Sequence, residues 1–178
     1  MNQSLVITAI GEDRPGIVNE LTEVLLNTSL NVEDSRMSVL GGEFVVMLLV
    51  TGSETSIDSI KQQKDTLANS LNLNLLIKPT TLSNPDGNSS DDHLSYNINV
   101  EDMDNPGIVH KLARYLSQQS INIVNMQTAS GHAPHTGTPM FSVNMQVDIP
   151  AELNTKQLEN DFTVLCDELS MDVEFKQV

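Results

Sequence analysis

Aromatic side chains are scarce: they make up 3% of the 178 residues, and tryptophan is absent. A platform that stacks nucleobases is hard to build from so few rings. Basic side chains are scarce too, with 9 Lys and Arg against 24 Asp and Glu, a formal net charge of −15. A phosphate backbone is held by a Lys/Arg footprint that releases counterions, so direct binding of nucleic acid is not expected. The single cysteine, Cys166, excludes an intramolecular disulfide and fits a reducing compartment. The longest apolar run, Phe44 to Val50, falls far short of the ~20 residues that span a bilayer. The opening Met1-Asn2-Gln3-Ser4 has no basic region before its short apolar run, so no signal peptide is expected. These absences point to a cytoplasmic protein with no membrane partner. Apolar content is 39%, and the 9 glycines bring it near the ~45–50% of ordinary globular domains, enough for a core.

What the chain does contain is a repeat on the scale of half its length. Asp13-Arg14-Pro15-Gly16-Ile17-Val18 returns as Asp104-Asn105-Pro106-Gly107-Ile108-Val109, an offset of 91 (104 − 13). The same offset pairs Leu21 with Leu112, Leu25 with Leu116, Ser29 with Ser120 and Asn31 with Asn122. Phe44 matches Phe141 at an offset of 97 (141 − 44), so the second copy carries six extra residues, around Gly131 to Gly137. Leu67 and Leu71 then match Leu165 and Leu169. Between the copies, Pro79 to Asp92 is rich in Pro, Gly, Ser, Asn and Asp without a period of 2 or 3.6, the mark of a polar linker. The expected organisation is a first domain over 1–79, a linker over 80–92 and a second domain over 93–178. Asn88-Ser89-Ser90 matches a glycosylation acceptor only by accident if the chain is not secreted.

Each copy reads β-α-β-β-α-β. In the second, Leu94, Tyr96, Ile98 and Val100 alternate with polar residues, the pattern of a half-buried strand. Ile108, Leu112, Tyr115 and Leu116 follow at helical spacing. Ile121 to Thr128 and Phe141 to Val147 read as strands joined by a long loop. Leu158, Phe162, Leu165, Cys166 and Leu169 form a second helical stripe, and Met171, Val173 and Phe175 close with a strand. The first copy repeats this with a tight Gly41-Gly42 hairpin. The expected class is α+β: two ferredoxin-like units in tandem, each an antiparallel sheet with two helices on one face.

The repeated turn is the candidate site. A strand running through Asp-x-Pro-Gly into a helix surrounds the turn with backbone N–H groups, and a helix N-terminus suits a carboxylate. Pro15 and Pro106 fit a first helical position. Gly16 and Gly107 remove a side chain where a ligand can approach, and Asp13 and Asp104 can accept bonds from an ammonium. An amino acid matches that pair of groups. Ordinary capping and turn chemistry uses the same residues, and a duplicated fold duplicates its caps. Asn31 and Asn122, where the second strand of each copy begins, are either further ligand contacts or turn residues.

These turns, with Leu30-Asn31-Val32 and Ile121-Asn122-Ile123, resemble ACT domains. The resemblance implies ferredoxin-like modules that bind amino acids and regulate enzymes or transcription. It carries ligand roles to Asp13, Asn31, Asp104 and Asn122, and backbone contacts to Gly16, Ile17, Gly107 and Ile108. Two such units, with the Gly137-Thr138-Pro139-Met140-Phe141 segment, resemble the glycine cleavage system transcriptional repressor family. That implies a non-enzymatic regulator with a small amino acid, such as glycine, as effector and no cofactor. It would repress through a DNA-binding activator, since the chain has no DNA-binding motif of its own. The alternative is a regulatory subunit that tunes a metabolic enzyme.

Other chemistry finds little support. His132 and His135 are spaced for one metal, but a zinc site needs three or four ligands and no partner is near in sequence, so solvated loop histidines are expected. Cys166 lies in an apolar stripe, where a buried inert thiol is expected. Gly41-Gly42 is not followed by Gly-Lys-Ser/Thr, so it is no phosphate loop. No nucleophile–base–orienter set can be assembled. An RNA-recognition module shares the plan but needs aromatics on its central strands, where the second copy carries Ser142, Asn144 and Gln146.

The two sheets differ on the face away from the helices. With Phe44, Val46, Leu48 and Val50 inward, the outer face of the first copy carries Val6, Ile10, Val45, Met47 and Leu49. An antiparallel sheet with one wet face alternates apolar and polar residues. The first copy does not, so these five are interface candidates, with a homo-oligomer favoured over the sister domain or a regulated partner.

Overall fold

The structure is a computed structural model and describes residues 3–82, 93–103, 106–132 and 136–178. The linker core (83–92), Asp104 and His135 lie outside the described residues, as does the Asn88-Ser89-Ser90 match. The chain divides into two compact units, Met1–Ser83 and Asn84–Val178.

The first unit contains β1 (Gln3–Glu12), α1 (Ile17–Asn27), β2 (Asn31–Leu40), β3 (Glu43–Gly52), α2 (Glu54–Leu71) and β4 (Asn74–Thr80). The second repeats the order with β5 (His93–Met103), α3 (Ile108–Gln118), β6 (Asn122–His132), β7 (Pro139–Pro150), α4 (Thr155–Glu168) and β8 (Asp172–Gln177). Each unit is a four-stranded antiparallel sheet, in the order β2-β3-β1-β4 and β6-β7-β5-β8. The βαββαβ plan expected from the repeat is the one observed.

Period-2 alternation builds each core from one face of the sheet. Leu5, Ile7 and Ala9 on β1 and Phe44, Val46, Leu48 and Val50 on β3 are buried, and they meet the α1 stripe Ile17, Leu21 and Leu25 with Ile57 and Ile60 of α2. In the second unit Ile98 and Val100 of β5 and Val143, Met145 and Val147 of β7 meet Ile108, Leu112 and Leu116 of α3 and Leu158, Phe162 and Cys166 of α4. Phe162 is wedged edge-on between Tyr115 and Phe175, with ring centroids 5.3 Å apart in both pairs.

The repeat extends to backbone conformation. Ser29 and its counterpart Ser120 both turn left-handed, at φ 54° and 59°. Behind them Leu30 N–H donates to Leu25 C=O and Ile121 N–H to Leu116 C=O, which satisfies helix-end carbonyls and sends the chain into the next strand.

Two expectations need correction. Pro15 and Pro106 do not begin helices: α1 and α3 start at Ile17 and Ile108, because Gly16 and Gly107 are left-handed and hold the N-cap position. The β6–β7 connection is not one long loop either. Gly131 pairs with Met140 and His132 with Pro139, so part of the six-residue insertion lengthens the ladder. The Gly41-Gly42 hairpin is as tight as expected, two residues with φ 62° and 89°, the signs a type I′ turn requires.

Candidate functional site

At the end of β1 the Asp13 N–H donates to Gly42 C=O at 3.0 Å, which anchors the turn to the β2–β3 hairpin. Arg14 then doubles back. Its guanidinium grips Glu20 with two bonds, Nη1 to Oε1 at 2.7 Å and Nη2 to Oε2 at 2.6 Å, and reaches Leu71 C=O at 3.4 Å. The bond from Arg14 holds the Glu20 carboxyl below its ordinary range. This clamp ties the turn to the first turn of α1 and to the end of α2. Sequence reading missed it, because a spacing of six across a bend lies outside the i+3 and i+4 pairs that a helix brings together.

Gly16 follows at φ 92°, a region costly for any residue with a Cβ. Backbone geometry therefore requires this glycine; close ligand approach is not needed to explain it. No side chain caps α1. Among the described residues the N–H groups of Val18 and Asn19 have no protein acceptor, so the positive end of the helix faces outward. Asp13 is exposed, and its carboxylate accepts no hydrogen bond from described residues. The capping role that sequence allowed for Asp13 is not the one it plays. Ile17 is buried, so only its backbone can serve a ligand.

The second turn has the same skeleton but different charge. Gly107 is the N-cap at φ 88°, again without a side-chain cap among the described residues. Among the described residues a Cβ there would meet nothing within 4 Å. The position matching Glu20 at the 91 offset (20 + 91) is Lys111, and His110 precedes it. Lys111 opposes the helix dipole there, and no acidic residue stands in the first turn of α3, where α1 carries the Arg14-bound Glu20. Ile108 is buried like Ile17.

Asn31 and Asn122 begin β2 and β6 as expected. They do not join the turns of their own units. Asn31 pairs with Thr51 at one end of the sheet, whereas Asp13 bonds Gly42 at the other. Nine register steps at ~3.3 Å separate those ends by about 30 Å. Asn31 Nδ2 donates instead to Glu33 Oε1 at 2.9 Å, and Thr51 Oγ1 donates to the same oxygen at 2.6 Å. Those two bonds hold the Glu33 carboxyl below its ordinary range. Asn122 pairs with Asp148 at the corresponding end of the second sheet.

The outer face of the second sheet is a shallow groove of about 360 Å³ lined by Asn97, Asn99, Asn125, Gln127, Asn144 and Gln146. No aromatic ring stands on it; Tyr96 and Phe141 pack against the core instead. The base-stacking surface of an RNA module is therefore absent from this face. Cys166 is fully buried, and burial pushes its thiol up to about 12. Such a thiol is no nucleophile at neutral pH. His132 is exposed at the end of β6. Among the described residues no three His, Cys, Asp or Glu side chains are grouped to hold a metal, and no helix is long and apolar enough to cross a membrane.

Comparison with known proteins gives a consistent picture. Residues 3–78 match the family model of the ACT domain. Over 166 residues the chain is 29% identical to the glycine cleavage system transcriptional repressor of Escherichia coli (strain K12), covering 93% of this chain and 85% of that one. A solved structure of an unknown protein from Galdieria sulphuraria superposes with a TM-score of 0.80 at 27% identity, covering 100% of this chain and 99% of the other. A solved structure of a candidate glycine cleavage system transcriptional repressor superposes with a TM-score of 0.71 at 25% identity, covering 100% and 98%.

Proposed function

Because the chain belongs to the ACT-domain family, with two ferredoxin-like units in tandem, we propose that it is a non-enzymatic regulator that responds to a small amino acid. The observation that carries this reading is the turn after β1, where an exposed Asp13 carboxylate without a hydrogen-bond partner among the described residues precedes the uncapped start of α1 in the chain. An α-ammonium suits the first and an α-carboxylate the second. Gly16 and Ile17 supply backbone to the site, and Gly107 and Ile108 supply it in the second turn, where Asp104 is the counterpart of Asp13. Asn31 and Asn122 would serve such ligands only from outside their own units, given their place at the far end of each sheet.

The likeness to a glycine cleavage system transcriptional repressor over most of both chains supports repression as the output, and glycine is the effector proposed with it. With a formal charge of −15, the protein acts by contacting a DNA-binding activator and not the operator. The test is capture from cells with and without added glycine. Recovery of a DNA-binding activator supports this reading, and recovery of a metabolic enzyme would assign the protein instead as a regulatory subunit. Tight, salt-sensitive binding of the isolated protein to operator DNA would refute both.

A further inference from the structure

The inward residues of the first sheet leave Val6, Thr8 and Ile10 of β1 and Val45, Met47 and Leu49 of β3 on the face away from the helices. Ile10 is 41% exposed, Met47 49% and Leu76 of β4 61%; Val6, Val45 and Leu49 are half-buried. The matching positions of the second sheet carry Asn97, Asn99, Glu101, Ser142, Asn144 and Gln146. One fold thus presents an apolar outer face in one unit and an amide-rich face in the other.

Register resolves the first face into three rows that cross the strands in the order β2, β3, β1, β4. They are Asp34–Leu49–Val6–Lys78, Arg36–Met47–Thr8–Leu76 and Ser38–Val45–Ile10–Asn74. In the first row an acid stands at one edge, a base at the other, and two aliphatic side chains between. Rotation about a two-fold axis that runs along the strands, in the plane between two such faces, reverses every row onto itself. Asp34 then lies over the Lys78 position of a second copy, and Leu49 over Val6. In the other rows Met47 lies over Thr8, Arg36 over Leu76, Val45 over Ile10 and Ser38 over Asn74. Charge meets opposite charge and apolar meets apolar in the two outer rows. The long Arg36 stem covers Leu76 while its guanidinium keeps the 2.6 Å bond it donates to Asp34 of its own chain at the exposed edge. An isologous interface requires this self-complementarity, and an axis across the strands through the first row would instead set Asp34 against itself.

We propose that the outer face of the first sheet is the docking surface for a second copy of the chain, packed sheet to sheet in this two-fold arrangement. Four strands ~4.8 Å apart and about ten residues at ~3.3 Å give roughly 600 Å² per partner. Roughly 1,200 Å² in total sits at the low end of stable interfaces, so a reversible dimer that dissociates near micromolar concentration is expected. Aligned sheets pack with their strands within about 30° of each other, which keeps the rows in register near the axis.

Sedimentation velocity over a concentration series tests the proposal. The wild-type chain should pass from monomer to dimer. Met47→Lys combined with Leu49→Lys should remain monomeric with an unchanged circular dichroism spectrum, since both side chains lie outside the core. Asp34→Lys and Lys78→Asp alone should each weaken the dimer by about tenfold, because each places like charges together at both ends of the row. The two charge changes together should restore it. A wild-type chain that stays monomeric, a Met47→Lys/Leu49→Lys variant that still dimerises, or single charge variants that the exchange does not rescue would each overturn the arrangement.

Discussion

Gly16→Ala separates the two reasons a glycine can occupy the repeated turn. The residue stands at φ 92°, ψ −12°, and an added Cβ would meet only Glu20 Oε1, at 3.7 Å, an ordinary contact. Space is therefore available and backbone strain is the whole penalty. Holding an L-residue left-handed costs ~1–2 kcal/mol. Against that, alanine restricts the unfolded chain and returns ~0.4–1 kcal/mol. The net expectation is a loss of about 1 kcal/mol, worth ~4–8 °C in Tm for a unit of this size. Gly131→Ala is the internal control: it lies in strand β6, has no left-handed φ, and a Cβ there meets nothing within 4 Å among the described residues. That change should be neutral or stabilising by up to ~1 kcal/mol, because glycine weakens a strand. Urea unfolding of both variants measures the contrast. Equal effects at the two positions would refute the claim that conformation fixes the turn glycine.

Three further outcomes follow from buried or paired groups. Cys166, with its thiol at about 12, should ignore a thiol reagent at neutral pH and react fully once the protein is unfolded; rapid labelling of the native protein would contradict its burial. Tyr115 Oη is buried without a hydrogen-bond partner among the described residues, so Tyr115→Phe should leave stability unchanged or raise it by ~1 kcal/mol, and a loss in urea unfolding would reveal a bond to that hydroxyl. Glu20 titrates below its ordinary 4.5 because of the bond from Arg14, so its contribution to folding is complete above pH 4.5 and is lost as pH falls below that value. Glu20→Gln should shrink the drop in urea midpoint between neutral pH and pH below 4.5, and an unchanged drop would show that the clamp does not form in solution.

The fold was legible because duplication displays every signal twice. Asp-x-Pro-Gly marks each strand-to-helix turn, and the alternation of Leu94, Tyr96, Ile98 and Val100 marks a strand whichever copy is read. The place of Asn31 relative to Asp13 was implicit in the same plan. A β-α-β crossover makes β1 and β2 parallel, so the start of β2 belongs at the start of β1, far from the turn. The Arg14–Glu20 clamp was not legible, since it depends on the angle at which the chain leaves a left-handed glycine. Nor was the lengthened β6–β7 hairpin, where Gly131, His132 and Pro139 look like loop residues and are held in strand by their ladder partners. The outer faces of both sheets could be read residue by residue, but the row that joins Asp34 to Lys78 needed the register of all four strands.

Isothermal titration of the full chain with each of the twenty amino acids, repeated on Asp13→Ala, tests whether the turn after β1 holds an amino acid. A small amino acid, glycine first, should bind. Asp13→Ala should lose ~1.5–3 kcal/mol if the first turn is the site, about tenfold to a hundredfold in affinity, through the missing charge-assisted bond. Because Asp13 caps no helix, its urea unfolding curve should not move. Absence of binding by every amino acid, or full affinity in the Asp13→Ala variant, would contradict the assignment of the turn after β1 as an amino-acid site.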